Sequence, residues 1–484
     1  LRLENLEHRA MLAGDVTTQF AGGNLVIRGD AEDNNIQIEA SAEGDLVVSA
    51  GDSETDSPTT IDGETTFSGV SSVIVMLGDG DDTFEVGSGE VDGNVIVVAG
   101  AGDDTVTLGG DAEASTGDDS PGGDGGDDTG GNALAGDPLV EELAEPQLIV
   151  GGNLIVSGGQ GDDTVTATNV MVEGDVSVLL AAGDDEVTLD AVTLDTLASG
   201  ELKVITGAGD DVVSIDGFLG AEADVHVTTG QGDDEITMLA MTAANLKVDA
   251  GDGDNIVSIG MAEDDSGDDT GDDLVDDVAA LSSIDIEAKV DVQTGSGDDT
   301  ISMASLAAAD FRVRTGRGDD VVIAADLSGD RLRLNTGAGL DVVSIDGSAD
   351  ASLERLNIQL GQGDDLLTLT GLTGSLLRLN AGNGDNVIDL NQLDFDRFFA
   401  RLGQGDDLLD ISPDSDLPLD QIVDAGRRMA GDLLGGLAGQ LDEATNRGRR
   451  GFGLPFGLDR AADLPPGLAQ RDTLPPGLAR GLIG

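Results

Sequence analysis

The chain has 484 residues, and its 96 Asp and Glu against 23 Lys and Arg give a formal net charge of −73. A surface so acidic repels nucleic acid and anionic membrane and attracts cations. There is no Cys, Trp or Tyr and there are two His, which excludes disulfides and thiolate chemistry, argues against zinc, and penalises carbohydrate sites built on aromatic platforms.

No apolar run approaches the roughly 18 residues of a membrane span. The charge raises the alternative of disorder, but 39% of the residues are hydrophobic, and Val, Ile and Leu alternate with polar residues, so a core is expected. Residues 1–21 carry no repeat and are read as a segment preceding the first domain. The expected domain covers 22–415, with 22–70 as degenerate capping coils.

From Gly78 a five-residue phrase, Gly-x-Gly-Asp-Asp, recurs at Gly100, Gly159, Gly207, Gly230, Gly295, Gly316, Gly361 and Gly403. Degenerate copies begin at Ala181, Gly251, Gly337 and Gly382. Most neighbouring copies are about 21 to 26 residues apart, a solenoid period. Before the phrase stand apolar pairs at period two, such as Leu202 and Val204, Val225 and Val227, Leu246 and Val248, Leu332 and Leu334. After it stand Val213 and Ile215, Ile236 and Met238, Val257 and Ile259. Alternation of this kind places the pairs on one face of a strand. One coil therefore reads strand, Gly-Asp turn, strand, variable return. Two strands of about five residues are not stable alone, and stacking the coils buries a continuous apolar column. The predicted fold is all-β, a parallel β-solenoid of the β-helix or β-roll kind, with about 13 turns, one per coil.

Return corners such as Gly93-Asn94-Val95, Gly152-Asn153-Leu154 and Gly174-Asp175-Val176 open the next strand and are read as turns that tolerate left-handed backbone. Acidic insertions over 109–146 and 260–280 break the period and are expected to be disordered loops on one edge. Beyond residue 415, Ile422, Met429, Leu433, Leu437 and Leu441 fall near helical spacing, so 416–447 is a candidate capping helix. Residues 448–484 form a tail rich in Gly, Pro and Arg, with Leu-Pro-Pro-Gly-Leu-Ala at Leu464 and again at Leu474.

Stacking creates a charge problem. Equivalent residues of a parallel sheet lie about 4.8 Å apart. Unit charges at that distance repel by roughly 1 kcal/mol in water and about 3 to 4 kcal/mol at an effective dielectric of 20. Over a dozen turns the repulsion rivals the stability of a whole domain, so the ladder needs a counterion. Calcium suits it. The ion takes six to eight oxygens from carboxylates and carbonyls in a flexible shell, whereas magnesium keeps its waters. Soft metals lack ligands here.

At these turns the chain resembles the RTX, or haemolysin-type, calcium-binding repeat family, whose nonapeptide is Gly-Gly-x-Gly-x-Asp, a polar residue, a large apolar residue and any residue. Residues Gly158 to Thr166 match it fully, and most other copies differ in the first residue. The resemblance implies that the sixth position carries the ligating carboxylate. In this chain that is Asp82, Asp104, Asp163, Asp185, Asp211, Asp234, Asp299, Asp320, Asp341, Asp365 and Asp407. Family repeats run in tandem with two binding turns per coil, while this chain has one, so ions are expected along one edge only. Asn255 and Asn386 replace the sixth-position Asp, and Leu340 replaces the residue before it. A second, short resemblance lies at Leu3 to Ala13, similar to the leader-proximal segment of some large exported bacterial surface proteins.

Two outward columns remain. One holds Lys203, His226, Lys247, Arg312, Arg333 and Arg378, read as a solvated face with an anion or polysaccharide stripe as the alternative. The other holds hydroxyls from Thr107 to Thr368, interrupted by Ile323, Asp389 and Asp410, and reflects strand propensity. No nucleophile–base constellation and no phosphate loop is present, and acidic pairs that recur in every coil mark no unique catalytic site. The sequence thus points to a non-catalytic, calcium-binding structural or adhesive solenoid, extracellular or on a bacterial cell surface. Its expected partners are calcium ions and extracellular matrix, polysaccharide or cell-surface components, with no nucleic acid. The alternatives are an exported β-helical enzyme acting on polysaccharide and an acidic mineral- or matrix-binding protein.

Overall fold

The computed structural model describes residues 14–41, 44–51, 59–110, 147–194, 199–260, 284–347, 352–418 and 422–424. Among them every regular element is a strand, and the strands stack in parallel as a β-solenoid. One coil shows the plan. The pre-turn strand Leu154–Gln160 leads through the Gly-Asp-Asp turn into the post-turn strand Thr164–Thr168. A single residue, Asn169, turns the chain into a short third strand, Val170–Val172, and Gly174 and Asp175 return it to the next pre-turn strand, Val176–Leu179.

Register is fixed by the alternation. Leu154 pairs with Val95 on one side and Val176 on the other, and Val165 pairs with Val106 and Val187. A slip by one residue would turn every apolar side chain to solvent. The post-turn strands form one 16-stranded sheet, and the pre-turn strands join most of the third strands in a 22-stranded sheet, while the third strands Thr373–Gly374 and Asp394–Phe395 pair separately. The apolar pairs read from the sequence, Leu202 with Val204 and Val213 with Ile215 among them, are fully buried in a single core running the length of the stack. The third strand was hidden in the sequence because two or three residues, as in Thr193–Leu194, are too few to show a period.

Two backbone devices turn the corners. At the Gly-Asp turn the second glycine is left-handed in every coil, from 114° at Gly80 to 152° at Gly339. The neighbouring coil is so close that a Cβ on Gly232 would sit 1.8 Å from the carbonyl oxygen of Gly209. Between the post-turn and third strands a lone left-handed residue makes the corner. It is a glycine in coils such as those of Gly217 and Gly371, but Asn169, Ala191, Ala240, Ser305, Asp326 and Gln392 take φ of 42–54° in others.

The N-terminal end of the stack is closed by reversal. Strand Asp15–Ala21 lies antiparallel on Asn24–Arg28, and Leu46–Ala50 lies antiparallel on Asn35–Ala40. The sheet therefore begins at Asp15, inside the segment expected to precede the domain, because Val16 is drawn into the core. At the other end Ile422–Asp424 pairs in parallel with Phe398–Gly403, so the capping helix expected over 416–447 does not hold at its start. An open edge offers backbone hydrogen bonds that outweigh a helical pattern diluted by glycine. The remainder of that helix, the tail 448–484 and the insertion residues 111–146 and 261–283 lie outside the described residues.

These corners have opposite tolerances. Gly232→Ala is expected to destabilise the solenoid by more than ~2 kcal/mol, because it adds both backbone strain and a backbone clash. Ala240→Gly, which relieves a left-handed alanine, should stabilise it by about 0.5–1 kcal/mol. Thermal melts of the two variants followed by circular dichroism check both signs.

Candidate metal centre

Each turn ends in two aspartates that part company. The second directly precedes the post-turn strand. Since Val165 points inward and Thr164 outward, the period-two rule turns Asp163 inward. The same holds in the other coils. Asp82, Asp104, Asp163, Asp185, Asp211, Asp234, Asp299, Asp320, Asp341 and Asp365 are all 0–2% exposed, and Asp407 in the last coil is half-buried. The first aspartates, such as Asp81, Asp103 and Asp162, stay at the surface. The sequence treats the pair as one acidic corner, whereas the structure separates it into a buried column and a solvated one.

Both columns are hydrogen-bonded ladders of opposite polarity. In the inner one, the backbone N–H of each residue donates to Oδ1 of the next coil. Asp82 donates to Asp104 at 2.9 Å, Asp104 to Asp163 at 3.0 Å, and so on without a break from Asn34 to Asp407. In the outer one, each N–H donates to Oδ1 of the previous coil, as Asp103 does to Asp81 at 3.0 Å. The return corners carry a third, shorter ladder, from Asn94 through Asn153 and Asp175 to Glu201. The Gly-Asn and Gly-Asp corners are thus more than turns.

The inner ladder leaves its other oxygens over. Oδ2 of Asp82, Asp104, Asp163, Asp185, Asp234, Asp299, Asp320, Asp341 and Asp365 is buried without a hydrogen-bond donor. The three coils that carry asparagine show what surrounds this position. Asn255 Nδ2 donates to Gly253 O at 3.0 Å, to Gly251 O at 3.3 Å and to Asp299 Oδ1 at 3.0 Å. Asn34 and Asn386 repeat the pattern with Glu32 O and Asp82, and with Gly384 O and Asp407. The cradle is made of acceptors. An amide nitrogen satisfies it, but a carboxylate places oxygen against oxygen, and the buried aspartates then need a proton or a cation.

Their proton affinities follow. Burial raises Asp104, Asp185, Asp299 and Asp365 to about 7, Asp82, Asp234 and Asp320 to about 6, and Asp341 to about 8. Neighbouring aspartates in the stack push several of these further, and the ladder's N–H groups pull them back. Asp163 and Asp211 are raised for the same main reason. In five coils a buried threonine before the first glycine joins in. Thr206 donates to Asp211 Oδ2 at 2.5 Å. Thr229, Thr294, Thr315 and Thr336 instead give their proton to a carbonyl of the next coil, at 2.7–2.9 Å. Each of these four hydroxyls also lowers the proton affinity of the aspartate beside it, Asp234, Asp299, Asp320 or Asp341, and offsets part of the rise that burial causes. The recurrence of Thr at this place was the available signal for it.

The donor set meets calcium's chemistry in kind. Each gap of the column offers two carboxylates and the carbonyls of the glycine turn, hard oxygen ligands throughout. Nowhere among the described residues do three acidic or histidine side chains converge on one point, so carbonyl oxygens would have to complete the shell. Compared with protein-family models, curated proteins and solved structures, the chain finds no match.

Two outcomes follow for the metal-free protein. An aspartate whose pKa is raised on folding binds more protons when native, so its contribution is complete below about pH 4 and is lost as pH rises through 6 to 8. Melting temperature in chelator should therefore fall across that window, and a flat profile would contradict the buried column. Asp320→Asn, which installs the nitrogen that Asn255 already uses, should raise stability in chelator at pH 8 by about 1–3 kcal/mol, read from denaturant titration.

Proposed function

We propose that this protein is a non-catalytic, extracellular structural or adhesive solenoid that binds calcium along its inner aspartate column and folds fully when calcium is present. The observation that supports this reading is the file of buried carboxylate oxygens facing acceptors. The resemblance of the turns to RTX repeats adds to it. Calcium would be held by the sixth-position aspartates of successive coils with the glycine carbonyls between them, and it would supply the positive charge that a proton supplies at low pH.

Coupling to export follows from the same chemistry. Where calcium is scarce and the pH neutral, ionised aspartates resist burial and stacking. Where calcium is plentiful, binding energy becomes folding energy, with protons released. A rod stabilised in this way needs no disulfides, which agrees with the absence of Cys.

Elemental analysis of protein purified in calcium, paired with circular dichroism before and after chelation at pH 8, tests the reading. Several calcium ions per chain and a melting temperature at least 10 °C higher with the metal are expected. An unchanged β signal and an unchanged melting temperature after calcium removal would sink it.

A further inference from the structure

The five pre-turn strands Asp310–Arg317, Gly329–Ala338, Leu353–Gln359, Leu376–Asn380 and Phe398–Gly403 turn one face to solvent. Parallel register makes this face a grid. Arg312, Arg333, Asn357, Arg378 and Phe399 form one column. The column beside it runs Arg314, Asn335, Gln359, Asn380 and Arg401. On the other side Asp310, Arg331 and Arg355 are in register, and Arg397 directly precedes the last strand. In a chain where acids outnumber bases by 96 to 23, these three columns are built mainly of arginine and side-chain amides, with Asp310 among them and exposed Asp330 and Glu354 at their margin.

Three of these arginines meet carboxylates of their own molecule and five do not. Arg312 and Arg314 share Asp291 with Lys289, and Arg333 meets Asp310. Arg331, Arg355, Arg378, Arg397 and Arg401 lie within ion-pair distance of no carboxylate among the described residues, even with Asp330, Glu354 and Asp396 adjacent in sequence. For Arg378 the acidic turn is too far to be a counterpart. Arg378 precedes Gly382 by four residues, roughly 13 Å of strand, which already exceeds the screening length of about 8 Å at physiological salt. Arg378 instead stacks on Phe399, 5.7 Å from the ring centroid.

We propose that this face binds a linear anionic polysaccharide laid obliquely across successive coils. The four coils from Arg331 onward each present an unpaired arginine: Arg331 and Arg355 are in register at about 4.8 Å, and Arg378 and Arg401 each step two residues along the strand, about 8 Å from the one before. That spacing suits a polymer with about one carboxylate or sulfate for every one or two sugars. Duplex DNA carries one charge per ~1.7 Å, and an overall charge of −73 opposes so dense a polyanion. Asn335, Asn357, Gln359 and Asn380 supply donors and acceptors for hydroxyls between the charges, and Phe399 supplies an apolar face for a ring. The inference gives the adhesive half of the proposed function a partner and is independent of the calcium half.

The test is isothermal titration of the full chain with chondroitin sulfate, with hyaluronan, neutral dextran and single-stranded DNA as separate arms. It is run in calcium and again in chelator at pH 5, where circular dichroism confirms the fold. Chondroitin sulfate should bind, hyaluronan more weakly because it has half the charge, and dextran not at all. The variant R331Q/R355Q/R378Q/R401Q should melt like the parent and lose at least tenfold in affinity, while Arg28→Gln, at the opposite end, should lose nothing. Absence of binding, equal binding by the quadruple variant, or tighter binding of DNA than of chondroitin sulfate would each overturn the proposal. A protein indifferent to calcium would defeat the calcium reading and leave these results standing.

Discussion

The structure depends on how a column of aspartates can be buried. Ten carboxyl groups with 0–2% exposure line one wall of the core, and an isolated ionised carboxylate in such a place is prohibitively costly. Half of each group is solved by the fold, since Oδ1 accepts an N–H from the adjoining coil at 2.7–3.1 Å. That bond also satisfies backbone donors which the turn would otherwise leave unpaired. The other half is not solved by the protein. Oδ2 faces acceptors, and the solution must come from outside, as a proton or a metal ion.

This constraint explains the glycines as well as the acids. The ladder requires successive turns to stack at sheet spacing, and at that spacing there is no room for a side chain. A Cβ on Gly102, Gly209 or Gly339 would penetrate the carbonyl of the coil before it. Glycine is used here for close approach and for positive φ together. At the second corner the φ is as demanding but the packing is looser in some coils, with a Cβ on Gly217 meeting nothing nearer than 3.3 Å, and Ala191, Ala240 and Gln392 are accepted. The motif Gly-x-Gly-Asp-Asp is thus one geometrical unit: two residues allow contact and the last exploits it.

Much of this was legible in the sequence. Period-two alternation around a punctuated turn predicts parallel stacking, and Leu202, Val204, Val213 and Ile215 lie where it puts them. The aligned turns were legible too, because spacing in sequence becomes register in a solenoid. The unlike fates of Asp162 and Asp163 were not read, although the alternation that buries Val165 already buries Asp163 and exposes Asp162. Charge was given more weight than phase. The third strand and the single-residue corner at Asn169 had no sequence signature, since a segment of two or three residues shows no period and many residue types fill the corner. The arginine grid was visible as a column but not as a surface, because a single column does not show that its neighbours are amides and further arginines.

The breaks in the repeat are as informative as the repeat. Asn255 and Asn386 interrupt the inner acids and keep the ladder, since Oδ1 still accepts while Nδ2 fills the acceptor cradle, and Asn34 begins it by donating its N–H to Asp82. They limit the runs of buried acid to the stretch from Asp82 to Asp234 and the stretch from Asp299 to Asp365. Leu340 interrupts the outer ladder. Its N–H still donates to Asp319, but it has no carboxylate to offer the next coil. None of these breaks coincide. The coil of Leu340 retains inner Asp341, which accepts from Asp320, and the coils of Asn34, Asn255 and Asn386 retain outer Asp33, Asp254 and Asp385, each accepting from the next coil. Every step of the rod therefore keeps a carboxylate holding its neighbour, and the asparagines, neutral amides that bring their own N–H donor, divide what would otherwise be one longer run of buried acids. The amide ladder sets the spacing of the stack, and a proton or a cation at Oδ2 decides how stable the stack is at that spacing.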